Sequence, residues 1–261
     1  MDPVSVLDHP DVSRVLFHPR KQSPALPPEG ARDLIFTAYD GTLLGGRLFE
    51  AAGTHAPTIL FFHGNGEIAE DYDDIASLFN DRGINLVVAD YRGYGASRGI
   101  PTVSDMLRDA HAIFGEVQRL LAKENRNPEL WIMGRSLGSA SALEIASNCE
   151  NGVAGLIIES GFSRTAPLLR VLGLNAARLG MADEADPLDH TGKIARFGKR
   201  TLIIHSEYDE IISLAQGEEL YEASKAARKR FFLVRGAGHN DIFFADPAGY
   251  MEAVREIIAG P

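Results

Sequence analysis

Residues 130–138 read Leu130-Trp131-Ile132-Met133-Gly134-Arg135-Ser136-Leu137-Gly138, followed by Ser139-Ala140-Ser141-Ala142-Leu143. An apolar run closed by glycine suits a buried strand, and the small residues beyond Gly138 suit a helix. Ser136 therefore falls in a very tight strand-to-helix turn, the context of a nucleophile elbow. Gly134 and Gly138 flank it because the turn brings backbone segments so close that side chains would collide. The serine is lifted off the strand end to a helix N-terminus, whose free N–H groups and positive dipole end stabilise an oxyanion. The N–H of Leu137 is the first candidate donor. Without the strand, the same glycines would read as a helix cap.

A serine hydroxyl is a weak nucleophile and needs a base, which in turn needs an orienting acid. The apolar run Phe231 to Val234 is followed by Arg235-Gly236-Ala237-Gly238-His239-Asn240-Asp241, a glycine-rich turn that presents His239 at a sheet edge. His239 is the candidate base. His9 and His18 lie in an N-terminal lead-in, His111 is in a helix, and His190 reads as a solvated surface residue. His205 ends a strand, where a structural hydrogen bond is expected. After Thr201 to Ile204 the chain reads His205-Ser206-Glu207-Tyr208-Asp209-Glu210-Ile211-Ile212. Three carboxylates compete there. Asp209 is favoured because a few loop residues carry it to the same edge and Ile211 and Ile212 suggest a packed loop; Glu207 and Glu210 read as solvated. The second oxyanion donor is sought in Phe61-Phe62-His63-Gly64-Asn65-Gly66-Glu67, where glycines let amides approach a substrate oxygen. The N–H of Asn65 is the candidate, with His63 holding the loop by hydrogen bonds. A glycine turn without a ligand is the alternative.

Outward from these motifs, Leu34 to Ala38 and Leu43 to Phe49 flank Asp40-Gly41, a strong hairpin signal. Short apolar runs at Thr58 to Phe62, Asn85 to Ala89, Leu130 to Met133, Gly155 to Ile158, Thr201 to Ile204 and Phe231 to Val234 read as buried, mostly parallel strands. Helical spacing separates them. Tyr72, Ile75, Leu78 and Phe79 predict one helix. Thr102 caps a second, whose apolar face runs from Leu107 to Leu121, and others cover Leu214 to Ala227 and Pro247 to Ile258. The regular alternation predicts one α/β domain over residues 31–261, preceded by a lead-in of residues 1–30 that is extended through Pro24, Pro27 and Pro28. A helical excursion at about residues 162–199 interrupts it, read either as a short cap over a pocket or as packing against the main body.

The chain has 261 residues, and its 26 Lys and Arg against 36 Asp and Glu give a net charge of −10. That balance argues against nucleic acid, whose phosphates need basic partners. The single Cys149 excludes an internal disulfide and multi-cysteine metal sites and suits a reducing compartment. No apolar run approaches the roughly 18 residues of a membrane span, and the N-terminal acids and prolines do not resemble a secretory signal. A soluble, cytoplasmic protein without stable membrane insertion is expected.

Taken in order, His63-Gly64-Asn65-Gly66, Asp90-Tyr91-Arg92-Gly93-Tyr94-Gly95, Gly134-Arg135-Ser136-Leu137-Gly138, Asp209-Glu210-Ile211-Ile212 and Gly238-His239-Asn240 resemble serine hydrolases of the α/β-hydrolase superfamily. The resemblance is to its Bem46-like and depalmitoylase-like branch and runs over about residues 31–258. It implies an eight-stranded, mostly parallel sheet whose second strand is antiparallel, with helices on both faces. It also implies a Ser136, Asp209, His239 triad, oxyanion amides at Asn65 and Leu137, and a turn at Tyr91 to Gly95 that shapes the site floor. Members cleave carboxylic esters or thioesters, and the lack of a cysteine-rich N-terminus makes a soluble acyl ester the expected small-molecule substrate. The expected reaction is acyl transfer to water through an acyl-enzyme, with no metal or organic cofactor required. Thioester cleavage is the first alternative and a non-catalytic ligand-binding protein the second. A dehalogenase or epoxide hydrolase would carry a carboxylate where Ser136 stands, and a prolyl-oligopeptidase would need a propeller domain.

Overall fold

The computed structural model describes residues 3–181 and 186–260. Every apolar run singled out in the sequence becomes a strand: β1 (Ala31–Thr37), β2 (Leu43–Phe49), β3 (Thr58–Phe62), β4 (Asn85–Ala89), β5 (Leu130–Arg135), β6 (Gly155–Glu159), β7 (Arg200–Ser206) and β8 (Lys229–Val234). They form one eight-stranded sheet in the order β1-β2-β4-β3-β5-β6-β7-β8. β2 runs antiparallel to both neighbours, with Ala31 opposite Phe49 and Thr37 opposite Leu43 in the hairpin, and the other pairings are parallel. At the hairpin turn Gly41 adopts φ +84°, and the Asp40 carboxylate accepts from the Thr42 N–H.

Helices α1 (Pro10–Leu16), α2 (Ala76–Asn80), α3 (Val103–Lys123), α4 (Gly138–Asn148), α5 (Thr165–Val171), α6 (His190–Arg196), α7 (Leu214–Ala223), α8 (Ile242–Ala245) and α9 (Pro247–Ala259) surround the sheet. Period-two alternation sends successive strand residues to opposite faces. Leu60 and Phe62 of β3, with Leu130 and Ile132 of β5, join the core that holds Val117 of α3, Leu143 of α4 and Leu220 of α7. Ile59, Phe61, Trp131 and Met133 join the opposite core, with Phe79 of α2 and Tyr250 and Val254 of α9. A strand buried on both faces is therefore apolar throughout, as the sequence shows.

Three local expectations differ from the structure. The helix expected around Tyr72 to Phe79 is a 3₁₀ turn, Ala69–Tyr72, followed by the short α2. Asp71 accepts from the Ile68 N–H and Asp73 is gripped by Arg47, so the carboxylates fix a turn where apolar spacing alone suggests a helix. α7 stops at Ala223 because the Lys229 ammonium donates to the Tyr221 and Ser224 carbonyls at its end. The lead-in is not extended throughout: Pro3–Asp8 is 3₁₀ and α1 follows, and Leu7, Val12, Leu16 and Phe17 are buried in the α3 and α4 core. The apolar content of residues 4–17 is what the proline-based reading overlooked.

Within the excursion, α5 buries Leu168 and Leu169, and α6 packs on α4 and α7. His190, read as a solvated residue, is buried instead. Its Nδ1–H donates to the Phe162 carbonyl at 2.7 Å and its ring lies against the Phe162 ring.

Candidate active site

The elbow has the geometry its glycines require. Ser136 sits at φ +51°, in the left-handed region that a side chain adopts only under local constraint. A Cβ on Gly134 would lie 2.3 Å from the Gly138 carbonyl oxygen, and one on Gly138 would lie 2.0 Å from that of Phe62. The Ser136 N–H donates to the Glu159 carbonyl at the end of β6, and the Ser139 hydroxyl donates to the Ser136 carbonyl. These bonds clamp the turn on both sides of the hydroxyl.

The loops after β7 and β8 bring the other two candidates to that hydroxyl. His239 Nε2 lies 3.0 Å from Ser136 Oγ, and His239 Nδ1 lies 2.9 and 2.8 Å from the two oxygens of Asp209. Because a carboxylate only accepts, Nδ1 carries the proton and Nε2 is free to accept from the serine. Asp209 also accepts from the N–H groups of Ile211 and Ile212, at 3.0 and 2.7 Å. Burial pushes the Asp209 carboxyl up. The hydrogen bond and charge of His239, with the Ile212 N–H, outweigh burial and hold it below its ordinary value.

A family model described as serine aminopeptidase, S33 (Hydrolase_4) matches residues 53–183, half of the chain. The chain belongs to this family of α/β-hydrolases. Among relatives, α/β hydrolase domain-containing protein 17C of Mus musculus is 31% identical over 228 residues, covering 85% of this chain and 66% of that protein. An uncharacterized protein of Mycobacterium tuberculosis is 28% identical over 242 residues, covering 87% of this chain and 79% of its own length. Among solved structures, an esterase of Pyrococcus furiosus superposes with a TM-score of 0.74 at 17% identity, covering 93% of this chain and 98% of that one. The sheet order and the antiparallel second strand are those of this hydrolase fold.

The remaining carboxylates of the acid loop do not reach the imidazole. Glu207 accepts from the Gly236 N–H and Glu210 from the His239 N–H, each at 3.0 Å, so both brace the histidine loop through its main chain rather than facing solvent idly. His205 is structural, as its strand-end position suggests: its ring contacts the Ile212 carbonyl at 2.8 Å, and burial lowers its pKa. His63 does hold its loop. It is buried, bonded to the Gly64 carbonyl at 2.8 Å, and packed against Tyr91 and Tyr94. The floor turn contributes two hydroxyls, with Tyr91 donating to the His63 carbonyl and Tyr94 to Asn65 Oδ1.

Sequence reading assigned Arg135 no role, yet it ties the candidate site together. Its Nε donates to Glu159 and its Nη2 to the His239 carbonyl, each at 3.0 Å, while Nη1 pairs with Glu67. Glu67 in turn accepts from the Gly64 N–H and the Tyr72 hydroxyl, and Glu159 accepts from the Tyr250 hydroxyl. Burial and the Glu159 charge push the Tyr250 phenol well up, so it stays a donor. One guanidinium thus links the elbow, the Asn65 loop and the His239 loop. A single X in Gly-X-Ser-X-Gly carries no signal of this.

Ser136 opens into a cavity lined by Leu16, Asn65, Leu137, Leu168, Leu172, Ile211 and His239. A second cavity, walled by Phe61, Tyr72, Phe79, Phe243 and Tyr250, lies across Arg135 and Asn240 and does not include the hydroxyl. Of the apolar walls of the first, Leu16 comes from the N-terminal segment, Leu168 and Leu172 from the excursion, and Leu137 and Ile211 from the elbow and the acid loop. Among the described residues, no group of three or more His, Cys, Asp and Glu side chains is placed to hold a metal ion. No described helix is long and apolar enough to cross a membrane.

Proposed function

We propose that this protein hydrolyses carboxylic acyl esters, with Ser136 as nucleophile, His239 as base and Asp209 as orienting acid. The continuous chain of hydrogen bonds from Ser136 Oγ through both imidazole nitrogens to the buried Asp209 carboxylate carries this reading. As Ser136 Oγ attacks the carbonyl carbon, its proton passes to His239 Nε2. The carbonyl oxygen becomes an oxyanion held by the N–H groups of Asn65 and Leu137. Asp209 favours the imidazolium without taking the proton itself. The imidazolium then protonates the departing alkoxide, and water repeats the attack on the acyl-enzyme with His239 again as base.

The aliphatic cavity beside Ser136 suits the hydrocarbon part of an acyl group. The esterase name of the Pyrococcus furiosus structure is in keeping with an ester substrate. The test is turnover of p-nitrophenyl esters by wild type and Ser136→Ala, with labelling by a fluorophosphonate, and with thioesters and an aminoacyl p-nitroanilide in parallel. Wild type is expected to cleave the esters and take the label. Ser136→Ala is expected to lose the label and to fall in kcat by several orders of magnitude, roughly 10⁶-fold in a well-studied triad of another enzyme. Undiminished turnover by the purified variant ends the proposal, and cleavage confined to thioesters or the anilide moves the substrate class.

A further inference from the structure

The strand of chain just past α1 runs along the Asn65 loop rather than away from it. His18, one residue beyond buried Phe17, meets the Asn65 side chain twice: its backbone N–H donates to Asn65 Oδ1 at 2.9 Å, and its ring Nδ1 lies 2.8 Å from Asn65 Nδ2. The same His18 N–H reaches the Tyr94 hydroxyl, which donates on to Asn65 Oδ1. An amide nitrogen only donates, so His18 Nδ1 is the acceptor and the neutral ring carries its proton on Nε2. Further along, Arg20 donates to the Gly66 carbonyl at 2.7 Å and pairs with Asp71. The Gly95 N–H returns to the Arg20 carbonyl.

We infer that His18 is a positioning residue for the Asn65 amide, so that the N-terminal segment is a working part of the active site. The inference rests on the reading of the Asn65 N–H as an oxyanion donor. Asn65 lies between Gly64 and Gly66, the latter at φ +79°, and glycines on both sides leave that peptide little stiffness of its own. A donor stabilises an oxyanion only to the extent that it is aimed before the charge forms. The bonds converging on the Asn65 carboxamide supply the aim from outside the loop, and they come from a segment pinned independently by Leu7, Val12, Leu16 and Phe17. Leu16 of the same segment lines the Ser136 cavity, so hydrocarbon wall and loop tether arrive on one short stretch of chain, Leu16 at the end of α1 and His18 two residues beyond it.

The test compares kcat and KM for a p-nitrophenyl ester in wild type, His18→Ala, His18→Asn, Asn65→Ala and the His18→Ala/Asn65→Ala double variant. A tether acting only on the oxyanion donor lowers kcat and leaves KM within about 2-fold. His18→Ala is expected to lose about 5- to 10-fold in kcat, the worth of one neutral hydrogen bond. His18→Asn places a carbonyl oxygen near the position of Nδ1 and is expected to restore the wild-type value. In the Asn65→Ala background, removing His18 is expected to cost nothing more. An unchanged kcat in His18→Ala, a loss confined to KM, failure of His18→Asn to rescue, or an equal loss in the Asn65→Ala background overturns the inference. Should His18→Ala not fold, wild-type kcat in His18→Asn beside a reduced kcat in Asn65→Ala supports it, and the opposite ranking overturns it. Absence of wild-type turnover with the ester, the thioester and the anilide alike, or turnover that survives Ser136→Ala, overturns the nucleophile reading as well.

Discussion

Ser136 holds a left-handed backbone that costs roughly 1–3 kcal/mol for a residue with a side chain. The cost is borne because glycines on both sides admit the Gly138 and Phe62 carbonyls, and because the flanking bonds to Glu159 and Ser139 leave no alternative turn. The same distinction between reactive group and support separates the acids. Asp209 bonds the imidazole, whereas Glu210 bonds only the His239 main chain. Asp209→Asn is therefore expected to lower kcat by about 10⁴-fold, the loss a comparable change produces in a serine protease by stabilising the wrong tautomer. Glu210→Gln keeps an oxygen for the His239 N–H and is expected to stay within about 10-fold of wild type, since one neutral hydrogen bond is worth about 1 kcal/mol. Steady-state kinetics on one ester decide the matter, and a Glu210→Gln loss equal to that of Asp209→Asn would reassign the acid.

At the scale of elements, the inner strands β3 to β6 were legible because burial on both faces makes them largely apolar, and the β1–β2 hairpin because Asp40-Gly41 stands between its strands. The elbow was legible for a related reason: Gly134 and Gly138 are forced by contacts local to the turn. What was not legible depends on distant partners. Nothing near Pro10–Leu16 announces that Leu16 will face Leu168 and Leu172 across the Ser136 cavity, and nothing near Asp73 announces Arg47. The helix walls lead to an expectation for substrate length. Leu172 is partly exposed at the C-terminal end of α5 and lines the cavity, so a larger ring there takes up room that an acyl chain would use. Leu172→Phe is expected to shift the optimum of kcat/KM in an acyl series toward shorter chains, by about 10-fold for each methylene no longer accommodated. Leu168→Ala is expected to shift it the other way. An unchanged length profile in both variants would place the acyl group elsewhere, the aromatic cavity beyond Arg135 being the next to probe.

For the whole molecule, the pH dependence of stability follows from which buried groups fold neutral and which fold charged. Burial, with the nearby Lys193 charge, drives the His190 pKa down to about 4, against the partial opposition of the Phe162 carbonyl, Asp186 and Asp189. Burial lowers His205 as well. An unfolded chain protonates such histidines near pH 6.5 while the folded chain does not, so the unfolded state binds more protons and stability falls as pH drops through that range. Glu144 acts in the same sense but later, whereas burial raises Asp73 and Asp109, which act in the opposite sense. Burial raises Glu144, yet hydrogen bonds from His111 and Lys193 bring it to about 2, so its contribution is present above about pH 4.5 and lost as pH falls toward 2. The interval between pH 6.5 and 4.5 lies above the Glu144 loss, and within it a variant of one histidine isolates that histidine's share. His190 alone contributes a slope of up to about 1.4 kcal/mol per pH unit there. His190→Asn retains an amide that can donate to the Phe162 carbonyl but has nothing to titrate. Urea unfolding of wild type is expected to show ΔG falling steeply from pH 6.5 to 4.5, and His190→Asn, less stable at pH 7, is expected to show a shallower fall. Parallel slopes in the two proteins would mean that His190 is not kept neutral by the fold, and that the acid sensitivity of the molecule lies in His205 and the carboxylates.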